Sequence, residues 1–360
     1  MSTIQLGKLS LSIFGESHGP AVGAVLDGFP AGIRLDEEKL LRQMARRAPG
    51  QDKSATPRRE SDLPRILSGV KEGITTGAPI CAVVENANTR SGDYSPIPRP
   101  SHADYAAHVK YGGYNDIAGG GHFSGRLTAP FVFAGALCRQ LLEPDGIFVG
   151  GHVLQIGSVQ DEAFDPCRIS ADSLRALSGE YFAVLSQTAR EKMKAEIEDA
   201  RLAGDSVGGT VEVAAAGLPA GWGDPMFDGV ENLISRLLFA VPAVKGVEFG
   251  EGFGFAALRG SEANDCLCVE NGKICTETNR CGGITGGITN GMPLLFRAAF
   301  KPTPSIGKEQ RSVDLKTGKP VAFRVKGRHD PCIVPRGLPG AEAAAAIALA
   351  ELMLREGRKR

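Results

Sequence analysis

The sequence predicts an α+β fold, because helical and strand patterns both occur along the chain. Apolar residues within 40–45 recur with the 3.6-residue period of an amphipathic helix, whereas residues 208–217 alternate between apolar and polar as a strand does. The chain has 47 glycines among 360 residues, which exceeds the average share of about 7%. We therefore expect many turns and several close backbone approaches between these elements.

Charge and composition exclude several classes of partner. Lys and Arg together number 41, as do Asp and Glu, so no overall charge attracts nucleic acid or an anionic membrane. We find no basic segment followed by an apolar run at the N-terminus and no apolar stretch of about 18 residues. We expect a cytoplasmic protein without nucleic-acid or membrane partners, whose eight cysteines stay reduced. Because no repeat or low-complexity linker interrupts the chain, we expect a single domain over residues 1–360.

Two short strands are predicted first, at 6–14 and 21–27. The segment between them runs Gly-Glu-Ser-His-Gly-Pro, and the glycines on either side favour an exposed turn. Ser17 and His18 would then both lie on the surface, where catalytic groups are often found. A hairpin loop with a solvent-facing histidine is the alternative.

A helix is predicted from an N-cap at about Asp36 to the Ala-Pro-Gly at 48–50. Its end and the polar segment that follows contain five cations within fourteen residues: Arg46, Arg47, Lys53, Arg58 and Arg59. Guanidinium groups match the geometry of phosphate and carboxylate. The segment therefore predicts an anion site, with a merely solvated basic loop as the alternative.

A buried strand at 79–85 is followed by a long loop rich in proline and serine. The loop carries Arg90, Arg99, His102 and Asp104. A structureless loop of this length inside a compact chain is usually functional or disordered. We favour a functional loop, because it leads directly into a glycine motif.

The motif at 111–130 contains three consecutive glycines, 119–121, followed by an apolar helix. Ser124 or Thr128 is the candidate cap of this helix, and Pro130 fits its first turn. Such glycines serve either a tight turn or a close approach of backbone to a ligand. A helix N-terminus also favours an anion.

The second half of the chain continues the mixed pattern. The predicted elements are a strand at 147–157, two helices within 161–206, a strand at 208–217, a helix at 231–241 ended by Pro242, strands at 293–302 and 321–325, and a helix at 341–354. Gly252, Gly254 and Ala257 imitate a dinucleotide fingerprint, but the helix that this fingerprint requires does not follow. Cys266, Cys268, Cys275 and Cys281 lack the paired spacing of a zinc site, and we interpret them as ordinary thiols.

Two further polar clusters complete the pattern. A second glycine loop spans 279–291, a Lys-Pro-Thr-Pro-Ser turn spans 301–305, and residues 326–331 bring together two cations, a histidine and an aspartate. Together with the earlier motifs they predict an enzyme that binds phosphorylated small molecules. The residues alone do not name its reaction.

Seven sequence blocks resemble one family, chorismate synthase, in the family's order and spacing across almost the whole chain. The blocks are FGESHG at 14–19, RRAPGQ and RRESD within 46–62, HADY and YGGYNDIAGGG within 102–121, AVKGVE at 243–248, GGITGGITNG at 282–291, KPTPSI at 301–306 and GRHDPC at 327–332. The resemblance implies a β-α-β sandwich, in which a helical layer lies between antiparallel sheets, assembled as a homotetramer.

The resemblance also implies a reaction. Members convert 5-enolpyruvylshikimate 3-phosphate to chorismate by anti-1,4-elimination of phosphate, in the shikimate pathway of aromatic amino-acid biosynthesis. This makes the chain a carbon–oxygen lyase acting on phosphates. Reduced FMN is required without net redox change, and NADPH supplies the reductant directly or through a separate reductase. Since the chain has no nicotinamide fingerprint, we expect externally reduced FMN.

Site residues transfer from the family position by position. His18 matches the histidine that protonates or stabilises the leaving phosphate, His102 the one that protonates the reduced flavin, and Asp330 the carboxylate that relays the substrate's proton. Ser17 and Ser124 match hydroxyl groups nearby. The implied substrate contacts are Arg47, Lys53, Arg58 and Arg59. The implied FMN contacts are His122, Phe123, Ser124, Arg126, Pro242, Ala243, Gly286, Lys301, Pro302, Thr303, Pro304, Ser305 and Arg328.

Two departures from the family pattern affect the flavin contacts. Many members carry Arg-Ser-Ser where this chain has His122, Phe123 and Ser124, and many have Asn in place of Pro242. A proline there removes both an amide side chain and a backbone N–H. His122 or Arg126 would have to replace the missing cation. The altered segment leaves one alternative function, a non-catalytic flavin- or anion-binding protein on the same scaffold.

Overall fold

Two five-stranded antiparallel sheets enclose a layer of helices, which confirms the predicted α+β sandwich. The computed structural model describes residues 2–50, 60–87, 97–325 and 330–357. The strands are β1 Thr3–Gln5, β2 Ser10–Gly15, β3 Ala21–Asp27, β4 Pro64–Ser68, β5 Val70–Lys71, β6 Ile74–Thr75, β7 Ile80–Glu85, β8 Phe148–Ile156, β9 Val159–Gln160, β10 Gly209–Ala216, β11 Val244–Phe249, β12 Leu267–Glu270, β13 Lys273–Thr276, β14 Ile284–Thr285, β15 Ile288–Thr289, β16 Leu294–Phe300, β17 Gln310–Val313 and β18 Pro320–Phe323.

The helices, led by α3 and α8, form the layer between the two sheets. They are α1 Glu37–Arg47, α2 Asp104–Lys110, α3 Thr128–Leu142, α4 Ala171–Leu177, α5 Gln187–Leu202, α6 Val230–Leu238, α7 Gly260–Ala263 and α8 Val334–Glu356. The first sheet has the order β1-β2-β3-β7-β4 and the second the order β11-β16-β10-β8-β9. Helix α3 contacts β3 and β7 of the first sheet, and α8 contacts β8 and β10 of the second.

Helices α3 and α8 pack closely enough to exclude a side chain between them. A Cβ atom added to Gly135 of α3 would lie 2.3 Å from the Cβ of Ala343 on α8. All fifteen residues of α3 are buried, and so is the alanine-rich stretch of α8. Small residues at this contact allow the two backbones to approach, which fixes the spacing of both sheets.

One ion cluster joins three helices inside this layer. Glu342 of α8 accepts hydrogen bonds from Arg46 of α1 at 2.6 Å and from Arg139 of α3 at 2.8 Å. All three side chains are buried. Arg46, counted in the sequence among the cations of an anion site, therefore has its carboxylate partner within the protein.

A row of alternating charges crosses the second sheet. Glu248, Arg297, Glu212 and His152 are successive cross-strand partners on β11, β16, β10 and β8. The fully buried His152 donates from Nε2 to Glu212 at 3.0 Å and from Nδ1 to Asp161 at 3.2 Å. Burial by itself would lower the pKa of His152, but these two carboxylates raise it above its ordinary value. The two carboxylates thus favour the protonated imidazole.

Most predicted elements are found where the sequence places them, with two exceptions. The strand predicted at 6–14 begins only at Ser10, because residues 6–9 form a turn that is closed by a hydrogen bond of 3.0 Å from the Leu6 N–H to the Leu9 carbonyl. The last helix begins at Val334 and not at 341. Pro335 fits its first turn, where no N–H is needed, and Pro339 is accommodated inside it.

Only α8, in the part of the chain that the structure describes, has the length and apolar composition of a membrane span. Its mean hydropathy over an 18-residue window is 1.4, yet 94% of that window is buried inside the protein. We therefore interpret α8 as a core helix.

The charged row predicts a pH-dependent contribution to stability. Because the folded-state pKa of His152 lies above its unfolded value of about 6.5, the contribution is complete below that pH and is lost as pH rises through the folded-state pKa. We expect His152→Gln to lower the free energy of unfolding by about 3–5 kcal/mol at pH 6, since it takes the cation away from the buried Asp161 and leaves Glu212 with Arg297 alone. Urea denaturation of both proteins from pH 6 to pH 10 measures this, and a deficit that stays constant or grows with pH would contradict it.

Candidate active site

A cavity of about 740 Å³ lies where α1 ends and where α3 and α8 begin. Its volume falls in the usual range of about 300–1,000 Å³ for small-molecule sites. Most predicted site residues line it: Ser17, His18, Arg47, His102, His122, Phe123, Ser124, Arg126, Pro242, Ala243, Lys301, Thr303, Pro304, Ser305 and Asp330. Residues far apart in sequence therefore meet at one place.

Six predicted site residues are not among the residues that line this cavity. Lys53, Arg58, Arg59 and Arg328 lie outside the described residues. Gly286 occupies the turn between β14 and β15, away from the cavity, with a positive φ of 63°. Pro302 points toward Gly208, where an added Cβ would come within 2.9 Å of its Cδ.

The glycine turn separates the two predicted catalytic histidines. A Cβ on Gly119 would lie 2.1 Å from Nδ1 of His18, and one on Gly120 would lie 3.1 Å from Nε2 of His102. Gly119, Gly120 and Gly121 all have positive φ angles, which side chains rarely adopt. The glycines thus allow the backbone to pass closely between two imidazoles.

The turn between β2 and β3 is not the exposed one that the sequence predicts. Ser17 is only 1% exposed, and its N–H donates to the carbonyl of Gly121 at 3.1 Å. His18 is half-buried. The prediction was wrong because the glycine motif, about a hundred residues later in the chain, covers this turn.

His102 is held by a carboxylate at the start of α2. Its Nδ1 lies 2.5 Å from Oδ1 of Asp104, and Arg99 donates to the same carboxylate at 2.7 and 2.8 Å. Burial would raise the pKa of Asp104, but the hydrogen bonds from Arg99 and His102 bring it well below the usual range. Because Asp104 is ionised, Nδ1 of His102 is the donor and Nε2 is the atom left for chemistry.

A second carboxylate is shared by two cavity arginines. Asp62 accepts from Arg47 at 2.6 Å and also from Arg126, and all three side chains are buried. Glu60 lies 3.0 Å from Arg126 as well. Burial lowers the pKa of Arg47 to about 10, an effect that Asp62 opposes and the neighbouring Arg336 reinforces.

Asp330 is oriented by a residue that the sequence analysis missed. Nη1 of Arg336, on the first turn of α8, donates to both carboxylate oxygens of Asp330 at 2.9 and 2.8 Å. Arg336 also lines the cavity. The mistaken start of the last helix at 341 left this residue outside every predicted element, although the Val-Pro-Arg sequence fits a helix start.

Both ring nitrogens of His122 form hydrogen bonds. Nε2 lies 2.5 Å from the Ser2 hydroxyl, and Nδ1 lies 2.8 Å from the carbonyl oxygen of Gly15. Both contacts belong to the edge of the first sheet. His122 therefore anchors the glycine turn to β2 in addition to lining the cavity.

Unusual backbone conformations concentrate around this cavity. Ser101 and Ala243 line it with φ angles of 58° and 74°, and Asp62 beside it has a φ of 50°. Such angles cost of order 1–3 kcal/mol for residues other than glycine and cluster at functional sites. The strain supports a functional assignment of this cavity.

The lining fits a flat aromatic ligand that carries a phosphate. Apolar side chains occupy one part of the wall: Leu11, Ile13, Leu127, Phe131, Val241 and Phe300. Lys301, Ser305 and Arg99 supply cationic and hydroxyl groups nearby. Burial lowers the pKa of Lys301, and the charge of the neighbouring Lys245 lowers it further. This donor set suits the reduced FMN that the sequence resemblance implies.

Comparison with known proteins identifies one family throughout. The family model described as chorismate synthase matches residues 9–354. Chorismate synthase from Thermococcus kodakarensis is 50% identical over 353 residues, covering 97% of each chain. That of Korarchaeum cryptofilum is 48% identical over 358 residues, covering 98% of this chain and 97% of the relative. A crystal structure of chorismate synthase superposes with a TM-score of 0.76 at 28% identity, covering 98% of this chain and 93% of the other.

The glycine turn provides a test of the geometry. Gly119→Ala should displace His18 and lower the free energy of unfolding by about 1–3 kcal/mol, because it adds a strained φ and a clash. Gly125→Ala in the same segment is the matched control, since its added Cβ meets no atom within 4 Å. Thermal unfolding and the imidazole NMR signals of His18 measure both effects. Equal behaviour of the two variants would contradict the assignment.

Proposed function

The chain belongs to the chorismate synthase family and catalyses that family's reaction, and we propose that the 740 Å³ cavity is the site of this chemistry, with reduced FMN as its cofactor. The substrate is 5-enolpyruvylshikimate 3-phosphate, and the products are chorismate and phosphate. One observation carries the assignment of the site: His18, His102 and Asp330 come from three distant parts of the chain and line the same cavity.

Departure of the phosphate is the step that the cations support. As the carbon–oxygen bond breaks, negative charge develops on the leaving group, and preorganised cations stabilise it more than water does. Arg47 and Arg336 face the cavity from the ends of two helices. His18 is the proposed proton donor to the phosphate, because imidazole has an ordinary pKa of about 6.5 and is the side chain most often used for proton transfer near neutral pH.

Asp330 is the proposed acceptor of the proton that the ring loses. Its two oxygens receive hydrogen bonds from Arg336, which fixes the direction of the carboxylate. The Thr303 hydroxyl donates to the backbone carbonyl of Asp330 at 2.7 Å and fixes the loop that carries it. A base held on both sides in this way is positioned before the substrate arrives.

The flavin site is proposed from the same cavity. When bound, reduced FMN supplies electron density to the allylic system without net redox change. We propose that Lys301, Thr303 and Ser305 hold its phosphate-bearing part, and that His102 faces its ring through Nε2. The segments at 122–124 and 242–243 contribute backbone and apolar contacts. Arg126 is held by Asp62 and Glu60, so its role toward a flavin is to position neighbouring groups.

Several broader properties remain part of this proposal. We propose a single domain over residues 1–360, a cytoplasmic homotetramer, and contacts to the substrate from Lys53, Arg58 and Arg59. Arg328 and Pro302 complete the proposed flavin contacts. Gly286, which lies away from the cavity, would contribute through the neighbouring chain of such a tetramer. Within the described residues, nothing favours the alternative of a non-catalytic flavin-binding protein.

Anaerobic turnover tests the function. Purified protein, chemically reduced FMN and 5-enolpyruvylshikimate 3-phosphate should yield chorismate and phosphate in equal amounts, and oxidised FMN should yield neither. We expect His18→Ala and Asp330→Asn each to lower kcat by about 10²–10⁴, because each removes a proton-transfer group. His108→Ala and Asp172→Asn, which lie outside the cavity, are the controls.

Two results would contradict parts of this proposal. Flavin binding without release of phosphate would show that the protein keeps the family's fold and binds the cofactor but does not catalyse the elimination. Oxidation of NADPH by the purified protein and FMN alone would show that the chain reduces its own flavin, whereas we propose that a separate reductase supplies it.

Asp104 offers a separate test of how His102 is positioned. We expect Asp104→Asn to lower kcat on the order of a hundredfold, because an amide no longer dictates which ring nitrogen carries the proton. In a His102→Ala background the same change should add little, since the two residues act as one unit. Steady-state kinetics of the two single variants and the double variant measure the coupling. Additive losses would show that Asp104 acts independently of His102.

A further inference from the structure

The hairpin formed by β12 and β13 stands apart from both large sheets. It is a two-stranded sheet of its own. Its outward face presents Leu267, Val269 and Ile274 at 77%, 70% and 74% exposure, so little apolar packing supports it. Isolated two-stranded hairpins are marginally stable in water. Some other interaction must hold these strands together.

Among the described residues, the hydrogen bonds that attach the hairpin to the rest of the chain lie at its base. Asp265 accepts hydrogen bonds from the Thr278 hydroxyl at 2.7 Å and from the N–H groups of Arg280 at 2.8 Å and Cys281 at 2.9 Å. The Glu277 N–H also donates to the carbonyl of Cys266 at 2.9 Å. Beyond these contacts the strands extend toward a tight turn at Asn271 and Gly272.

On the opposite face of the hairpin, two cysteines meet. Cys268 and Cys275 are direct cross-strand partners, and their sulfur atoms lie 3.1 Å apart. Directly opposed residues in antiparallel strands have Cα separations of about 4.5–5.5 Å, which fall within the range found for disulfides. The strands therefore need no rearrangement to bring the two sulfurs into bonding distance.

A metal site is the competing use of the same side chains. The ligand atoms of Cys268, Glu270 and Cys275 lie within 4.8 Å of one another. Two thiolates on tetrahedral zinc, each at about 2.3 Å from the ion, would lie roughly 3.8 Å apart, farther than these sulfurs. The sulfur separation of 3.1 Å therefore favours a pair of thiols over a metal site.

We propose that Cys268 and Cys275 form a reversible disulfide that locks the β12–β13 hairpin. The oxidant is a low-molecular-weight disulfide such as oxidised glutathione. One cysteine thiolate attacks this disulfide and releases one small thiol, and the second cysteine then attacks the mixed disulfide and releases the other. Two thiols of the chain are oxidised to one disulfide, and one small disulfide is reduced to two thiols. The bond lies about halfway along the hairpin and closes the strands beyond their anchored base.

Cleavage by trypsin at Lys273 tests whether Cys268 and Cys275 are joined by a disulfide. Lys273 is exposed and is the one lysine or arginine between the two cysteines, so trypsin cuts the hairpin between them. After equilibration with oxidised glutathione, alkylation and digestion of the full-length protein, peptides 260–273 and 274–280 should be recovered joined, with the loss of two hydrogen atoms. Native cleavage at Lys273 should also be several-fold slower in the oxidised protein, because opening of the hairpin is restricted.

Serine variants assign the bond. Cys268→Ser and Cys275→Ser should each abolish the joined peptides, and the exposed Cys266→Ser should retain them. Turnover of the reduced protein should be unchanged in all three. Alkylation of both thiols at every glutathione ratio would overturn the proposal, as would joined peptides that depend on Cys266. Zinc retained through dialysis and lost in Cys268→Ser would overturn it as well and would assign the pair to a metal.

Discussion

The contact between α3 and α8 is the constraint on which the rest of the structure depends. It requires small residues on both sides, since a single Cβ at Gly135 would meet Ala343 at 2.3 Å. Because each helix also packs on a different sheet, their spacing sets the separation of the two sheets. Both helices begin at the cavity, so the same contact brings Thr128 and Arg336 to its wall. The contact between α3 and α8 therefore determines both the packing of the core and the geometry of the cavity.

Buried charges inside this layer fix the helix ends, and each lies beside a group of opposite charge. Arg46 and Arg47 are consecutive at the end of α1 but point to different carboxylates, Glu342 in the core and Asp62 beside the cavity. Removing one member of such a buried pair leaves an uncompensated charge, at a cost of about 3–5 kcal/mol. The penalty makes alternative placements of α1 unfavourable. Arg47 therefore reaches the cavity in one defined direction.

The sequence predicts elements whose signals are local and misses relations that join distant residues. The Asp36 cap and the Ala-Pro-Gly end of α1 are local, and that helix is found as predicted. The motif blocks likewise identify residues from distant parts of the chain that line the cavity. The burial of Ser17 and the charged row through His152 and Glu212 could not be predicted, because they depend on which strand or loop comes to lie beside them. Arg336 was missed for a different reason, since the last helix was predicted to begin at 341, after this residue.

The altered segment at 122–124 changes how the cavity provides positive charge. His122 cannot simply replace a cation at this position, because both of its nitrogens already contact Ser2 and Gly15. Arg126 is also committed, since it pairs with both Asp62 and Glu60. Among the described residues, the Lys301 ammonium group donates to the carbonyl of Ser101, and such a group has three N–H donors. We therefore propose that Lys301 supplies the charge that a bound phosphate would require in this part of the cavity, while His122 holds the turn that passes between His18 and His102.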